Sequence, residues 1–521
     1  MSFPLRTRSS AEPLPFPPGP RYSLHFSFLG ARHLPVADIP SFSSDPYIIA
    51  TLHFPDTSLP NLHHRTPTIR ATLSPDWNDS WVVANVPVTG IKLKVKVMDE
   101  DPGPGNGDDR LGVAWIETGR LDQGIWAGGG QWELGEEIRQ SELLSMGKNA
   151  GWAGLLRVVT VGCGKGRWKG LGGEVDVGIT VHPHERGEGD DEEKEEPERP
   201  YTIAPHWWSQ HFSALIGIIT HTTADGPGDA VKRYSFAATK IQLAGPLPPV
   251  LRHRYVAFRP IIKTFYTKSG LLGIVLNRVL KNQYRTIYSY NKATQYGEEP
   301  PANLARAFLQ FAHWGEGGRL FTYVITLDGE WRFTETGKEF GIQMLSKHTM
   351  HSCVSLEVGF AGEFFVTHDT AHALAPPSPS SPPVTPTHSS PFRLHRRKKS
   401  REDRKRNLPE YTLHIDNDSG TYRPPKDHLP ALQKFLERNL PGLNVKTADA
   451  FDKEHMQRKE AHVAGKRAGR FKQVGDEESI SSSDEEKLRD DRPNVLRRAK
   501  QRVWREVSDG DRIEEGPGTG R

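Results

Sequence analysis

The chain is poor in cysteine, in long apolar runs and in hydrophobic residues overall. Only Cys163 and Cys353 occur in 521 residues, which excludes a disulfide framework and suits a reducing compartment. No run approaches the ~18 apolar residues of a transmembrane helix. LIGIIT at 215–220 and LLGIVL at 271–276 are core-sized. The first twenty residues carry Pro and Arg without an apolar stretch, so no secretory signal is expected there. Any membrane contact is therefore expected to be peripheral, and the location cytoplasmic. Hydrophobic residues make up 36% of the chain, below the usual globular share, so part of it is expected to stay unpacked. The net charge of +4 arises from 68 basic and 64 acidic residues; total charge therefore says little about partners, and its distribution says more. No internal repeat is visible.

Several catalytic signatures are also missing. There is no H-x-K-x4-D, no G-x-S-x-G elbow and no kinase H-R-D or D-F-G. Cys163 precedes Arg167 by two residues too few for a phosphatase C-x5-R loop, and GCGKGR at 162–167 lacks the Gly-Lys-Ser/Thr ending of a P-loop.

What is present divides the chain into segments. Residues 1–20 read as a disordered lead. From Tyr22 the pattern is that of strands, clearest in IKLKVKV at 91–97, where Ile91, Leu93, Val95 and Val97 face inward and Lys92, Lys94 and Lys96 face out. A Gly- and Trp-rich stretch from about 118 to 170 reads as an insertion ahead of a last strand, GGEVDVGITV at 172–181, closing a domain over 21–184. Residues 185–200, with the acidic GEGDDEEKEEPE, form a linker. Residues 201–370 mix helical periodicity (269–284, 303–314, 338–349) with strands, including a hairpin about Asp328-Gly329. Residues 371–409 are Pro/Ser-rich and then basic, and should be disordered. Strand, turn, helix and strand return at 411–447, so 201–370 plus 410–447 are expected to form one α+β domain; 448–521 is a charged tail, helical or disordered.

Acidic loop residues carry the most chemistry. Asp38 and Asp45 lie in LPVADIPSFSSDPY; Asp99, Asp101 and Asp109 lie in KVMDEDPGPGNGDDRLG. Five like charges in one place repel unless a cation joins them, and Ca2+ takes six to eight oxygen ligands. With RYSLHFSFLGARHLPVAD and LSPDWNDSW, these stretches resemble the C2 family of membrane-binding modules over roughly residues 20–183. The resemblance implies an all-β sandwich that binds anionic phospholipid with Ca2+. Asp38 and Asp45 would then be ligands from the first loop, and Asp99, Asp101 and Asp109 from the third. The third loop is about two residues longer than the common C2 pattern, so Asp108 competes with Asp109 for the last ligand position. Phe42 stands near the tip of the first loop, placed to enter a headgroup layer. Lys92, Lys94 and Lys96, with Arg65 and Arg70, offer a second lipid-facing surface, each near-surface charge contributing roughly 1 kcal/mol; a solvated strand face explains the same lysines.

Weaker constellations lie downstream. His348, His351 and Cys353 in HTMHSC, and Asp416 and Asp418 in DNDSGTY, are candidates for a second site. Chance proximity and an Asx-rich turn explain them at least as well. Ser481, Ser482 and Ser483 each precede an acid by three residues, which suits an acidophilic kinase. The chain from about 205 to 447 resembles the C-terminal part of uncharacterised fungal C2-domain proteins, through EWRFTETGKEFG, FAGEFF and HIDNDSGTYRPPKDHLPALQKFLERNLPGL. The expected function is Ca2+-dependent targeting to anionic phospholipid, with a C-terminal domain whose role the sequence does not assign and which is one candidate surface for a protein partner. Nucleic acid is the disfavoured reading of the basic cluster. The rival readings are a lipid-modifying enzyme with its active site in the α+β domain, and a Ca2+-independent protein-binding adaptor; the absent motifs lean against an enzyme.

Overall fold

The computed structural model describes residues 19–37, 42–56, 59–100, 108–124, 131–145, 169–184, 199–211, 237–254, 294–336, 357–368, 406–419 and 423–467, with single residues at 274–288 and 351–355. Nine strands build the first sheet: β1 (Arg21–Arg32), β2 (Pro46–His53), β3 (Leu62–Arg65), β4 (Asp76–Pro87), β5 (Lys92–Asp99), β6 (Asp109–Glu117), β7 (Glu137–Ser145), β8 (Lys169–Pro183) and β9 (Tyr201–Ala204). Their order is β3-β2-β5-β6-β7-β8-β1-β4-β9. One residue pair, Val113 with Ser145, joins β6 to β7, so the ladder folds there into the two halves of a sandwich. Alternate residues of both halves, among them Phe26, Phe28, Trp81, Val95, Val97 and Val177, meet in one core. The alternation expected for 91–97 is present: Leu93, Val95 and Val97 are fully buried while Lys92 is exposed and Lys94 and Lys96 are half-buried.

Two sequence expectations change here. β7 lies within the stretch read as insertion and pairs along its length with β8. Its sequence EIRQSELLS is mostly exposed, so it lacks the apolar alternation by which a strand is recognised. β9 pairs with β4, so the first sheet reaches Ala204, past the domain end expected at 184 and into the segment assigned to the second domain.

The second sheet begins directly after a cis Ala204–Pro205 bond. Its elements are β10 (His206–His211), β11 (Ala238–Gln242), β12 (His253–Arg254), β13 (Thr294–Glu299), α1 (Pro301–Phe311), β14 (Phe321–Ile325), β15 (Glu330–Glu335), β16 (Glu357–Val358), β17 (Phe360–His368), β18 (Tyr411–Asp416), α2 (Leu429–Asn439), β19 (Asn444–Ala448) and α3 (Lys453–Arg467). Eight strands run β13-β10-β11-β15-β14-β17-β18-β19, while β12 and β16 pair separately. β18 and β19 are parallel, the crossover being made by α2. This part is mostly strand, with few helices among its described residues. The periodicities read as helices at 269–284 and 338–349 fall largely outside those residues. Gly329, at φ +79°, supplies the left-handed turn between β14 and β15.

One face of this sheet presents Tyr323, Trp331, Phe333, Phe364, Leu413 and Ile415 to α1 and α2, which contribute Leu304, Phe308, Leu432, Phe435 and Leu436. The spacing of the α1 residues forms one helical stripe, and proline at its first position costs no hydrogen bond. The other face is polar, with Arg332, Thr334, Glu363, His414 and Asp416, and α3 packs there through His455, Lys459 and His462. The segments 1–18 and 369–405 and the phosphorylation candidates Ser481, Ser482 and Ser483 lie outside the described residues.

Candidate functional site

The acidic loops lie at the ends of three adjacent strands. In the register of the sheet Pro46 pairs with Asp99, and Asp99 with Asp109. Asp45, next to Pro46, donates its backbone N–H to Asp99 Oδ1 at 2.5 Å. Asp45, Asp99 and Asp109 are therefore brought together; Asp38 and Asp101 lie outside the described residues. Asp108 accepts the Tyr47 hydroxyl at 2.5 Å. That contact draws Asp108 toward β2 and leaves Asp109 as the residue in register with Asp99. Phe42 is 70% exposed at the same end, the most exposed of the large apolar side chains among the described residues.

Arg70 and Glu100 escaped sequence reasoning as members of this site. Arg70 was expected on a lipid-facing surface with the lysines. Its guanidinium instead spans Asp45 Oδ2 at 2.8 Å and Glu100 Oε2 at 2.6 Å. The Ala71 backbone N–H adds a bond to Asp45 Oδ1 at 2.7 Å. The chain thus supplies a cation of its own among the loop carboxylates. Glu100 lies between Asp99 and Asp101 in sequence, but neither spacing nor family pattern marks it as a partner for an arginine 30 residues earlier.

The lysine face is also more specific than its sequence. Lys94 stands opposite Trp115 in the β5–β6 register. The Lys94 and Lys92 ammonium groups lie 4.9 and 5.4 Å from the Trp115 ring. Trp115 is 44% exposed and His53 packs beside it at 5.6 Å. Lys92 also pairs with Glu117 at 3.0 Å. Burial, the largest effect, and the neighbouring His63, Lys94 and Lys92 lower the His53 pKa. Trp115 was missed because AWI reads as core; only the register with Lys94 reveals that it faces out.

Arg65 does not belong to this surface. It is 2% exposed, with its guanidinium 3.9 Å from the Tyr47 ring and 4.5 Å from the ring of Tyr296 in the second sheet. The edge strand β13 covers β3, and Arg65 is sandwiched between two aromatic rings instead of meeting solvent.

The downstream candidates fall into two networks. His351 is fully buried, with Nδ1 2.5 Å from the Tyr288 hydroxyl and Nε2 3.2 Å from Thr334 Oγ1. Asp416 is 1% exposed and accepts from His455 Nε2 and Lys459 Nζ, both at 2.9 Å, and from the backbone of Glu363 and Asp418. Burial alone would raise its carboxyl, but the His455 hydrogen bond and the Lys459 charge outweigh that and hold it at about 2. Burial, the largest effect, keeps Glu363 above the usual carboxylate range against the pull of Lys459. Thr334 and Asp416 share a sheet face but stand on strands separated by β14 and β17, roughly 14 Å by strand spacing. His351 and Asp416 therefore do not converge. Asp418 neighbours Asp416 and pairs with Arg423 at 3.1 Å, and His348 lies outside the described residues. Among the described residues no helix is long and apolar enough to cross a membrane.

Residues 22–129 match the family model of the C2 domain. No curated protein sequence matches the chain. Similar solved structures include a C2 domain of a plant extended synaptotagmin 1, at 15% identity and TM-score 0.23, covering 32% of this chain and all of that one. Another is CC2D1B, at 17% identity and TM-score 0.21, covering 31% of this chain and 55% of the other. A third is human GIVD cytosolic phospholipase A2, at 13% identity and TM-score 0.22, covering 51% and 37%. The chain thus spans only part of the last two proteins.

Proposed function

We propose, from the premise that residues 22–129 form a C2 domain, that this protein is a peripheral membrane-targeting protein. It binds anionic phospholipid with the loop end of that domain, in a Ca2+-dependent manner. The carrying observation is the register that lines up Asp45, Asp99 and Asp109 beside an exposed Phe42. Asp38 and Asp101, from the same two loops, would complete the ligand set. A donor set of carboxylates at one edge suits a hard cation.

When bound, Ca2+ would neutralise the loop carboxylates and give that end of the domain a positive field. The chain's own residues do the rest. Asp99 is anchored by the Asp45 backbone, Arg70 holds Asp45 and Glu100 until it is displaced, and Phe42 offers an apolar side chain to the headgroup layer. Lys92, Lys94 and Trp115 form a second contact, a cationic pair beside an amphipathic ring of the kind that lies at membrane interfaces. Two such contacts on one domain bind better together than either alone.

The test is co-sedimentation of the full chain with phosphatidylserine vesicles, in Ca2+ and in chelator, beside an Asp99→Asn/Asp101→Asn variant. Sedimentation that needs both Ca2+ and the aspartates is the expected result. Sedimentation that survives chelator and is lost in a Lys94→Glu/Trp115→Ala variant replaces the calcium reading with the basic face. No sedimentation in either condition overturns membrane targeting and leaves the adaptor reading.

A further inference from the structure

We infer that His64, Asp79 and Glu298 form a divalent-metal site of the zinc class, which ties the second sheet to the open edge of the C2 sandwich. The three residues come from separate elements: His64 from β3, Asp79 from β4, and Glu298 from β13 of the second sheet. One ligand atom from each lies within 4.8 Å of the other two. Donors about 2 Å from a tetrahedral ion stand roughly 3.3 Å apart, so the group encloses such an ion with small side-chain adjustments. One imidazole nitrogen and two carboxylate oxygens are a donor set that zinc accepts, leaving a fourth position for water.

The site is built, and its parts are held in place. The His64 imidazole is fully buried, stacked between Phe28 at 5.5 Å and Trp81 at 5.6 Å. Its Nδ1 has no hydrogen-bond partner among the described residues. All of the ring's polar interaction is therefore at Nε2, which lies 2.8 Å from Asp79 Oδ2. The other Asp79 oxygen accepts the Ser80 backbone N–H at 2.9 Å. The Tyr296 hydroxyl lies 3.0 Å from Glu298 Oε1, and the strand period places Tyr296 and Glu298 on one face of β13. These outer contacts orient the two carboxylates as second partners orient metal ligands. Carboxylates from two different sheets that meet beside one imidazole repel each other unless a cation or a shared proton lies between them.

The site is separate from the acidic loops, so its test separates from theirs. Full-length chain, stripped with chelator and dialysed, is titrated with Co2+ and with Zn2+. Metal content is then read by mass spectrometry, and the Co2+ environment by visible absorption. The variants are Glu298→Gln at the exposed rim, Asp79→Asn, and Asp45→Asn/Asp99→Asn as the loop control, each checked for fold by circular dichroism. His64→Ala is the riskier variant because it hollows an aromatic stack, and the conclusion does not depend on it. The expected result is one metal equivalent with a tetrahedral Co2+ spectrum, retained in the loop control. In Glu298→Gln its affinity should fall roughly 10- to 100-fold, the cost of losing even an outer partner. Equal uptake and an unchanged spectrum in Glu298→Gln and Asp79→Asn, or loss of the signal only in the loop control, would overturn the assignment. It is overturned equally if the folded wild-type chain takes up no metal, which would leave a shared proton between the carboxylates.

Discussion

Arg70 shows how one side chain changes what a cluster of aspartates can do. Sequence spacing points to repulsion among the loop carboxylates, and the structure places a guanidinium between Asp45 and Glu100. Under the proposed Ca2+ binding, the ion competes with that pair. An ion pair with a half-exposed arginine is worth roughly 0.2–1 kcal/mol, so Arg70→Gln should tighten Ca2+ binding about 1.4- to fivefold, as read by calorimetry of the full chain. Weaker binding would mean that Arg70 orients Asp45 instead of opposing the ion. Asp416 is a residue-scale case with a pH consequence. Its native value of about 2 lies below the 3.8 of an ordinary aspartate. The native state is therefore favoured once an unfolded aspartate has ionised. The contribution, about 2 kcal/mol, is complete above roughly pH 5 and is lost as the pH falls toward 2. Urea unfolding should show this acid loss in wild type. Asp416→Asn should lower stability at pH 7 and flatten the slope between pH 5 and 2.

At the scale of elements, local pattern and pairing carry different information. The lysine alternation in β5 and the Asp328-Gly329 turn were legible because the strand period and the turn residue act within a few residues. β7 was not legible, since its stability comes from bonds to β8 and its side chains are largely solvated. The outward Trp115 became visible only through its register with Lys94. Close approach between β17 and β18 has a similar origin. A Cβ on Gly362 would stand 1.9 Å from the Asp416 carbonyl oxygen. Gly362→Ala must push these strands apart, and overpacking of this kind costs roughly 1–3 kcal/mol. Chemical denaturation should show that loss, whereas unchanged stability would mean that the β18 end yields freely.

On the scale of the whole molecule, the two sheets meet where β13 closes over β3. Tyr296 stacks on Arg65 and its hydroxyl reaches the Arg65 carbonyl oxygen. Asn85 binds the Arg199 carbonyl at 3.1 Å and Trp81 Nε1 donates to Thr202 at 3.2 Å. Tyr296→Ala should therefore loosen the two parts while leaving each folded. An increased radius of gyration in small-angle scattering, with unchanged far-ultraviolet circular dichroism, is the expected outcome; an unchanged radius would show that the β4–β9 contacts suffice. The sequence alone determined the sandwich class, the inward and outward faces of β5, and which loops carry acidic residues, because these follow from strand period and residue chemistry close along the chain. Only the tertiary structure decided that Arg65 is buried, that Arg70 sits among the loop carboxylates, that His351 and Asp416 stay apart, and that His64, Asp79 and Glu298 converge. These depend on which strands pair and which edge covers which, and such contacts join residues up to 231 positions apart that leave no local periodicity to read.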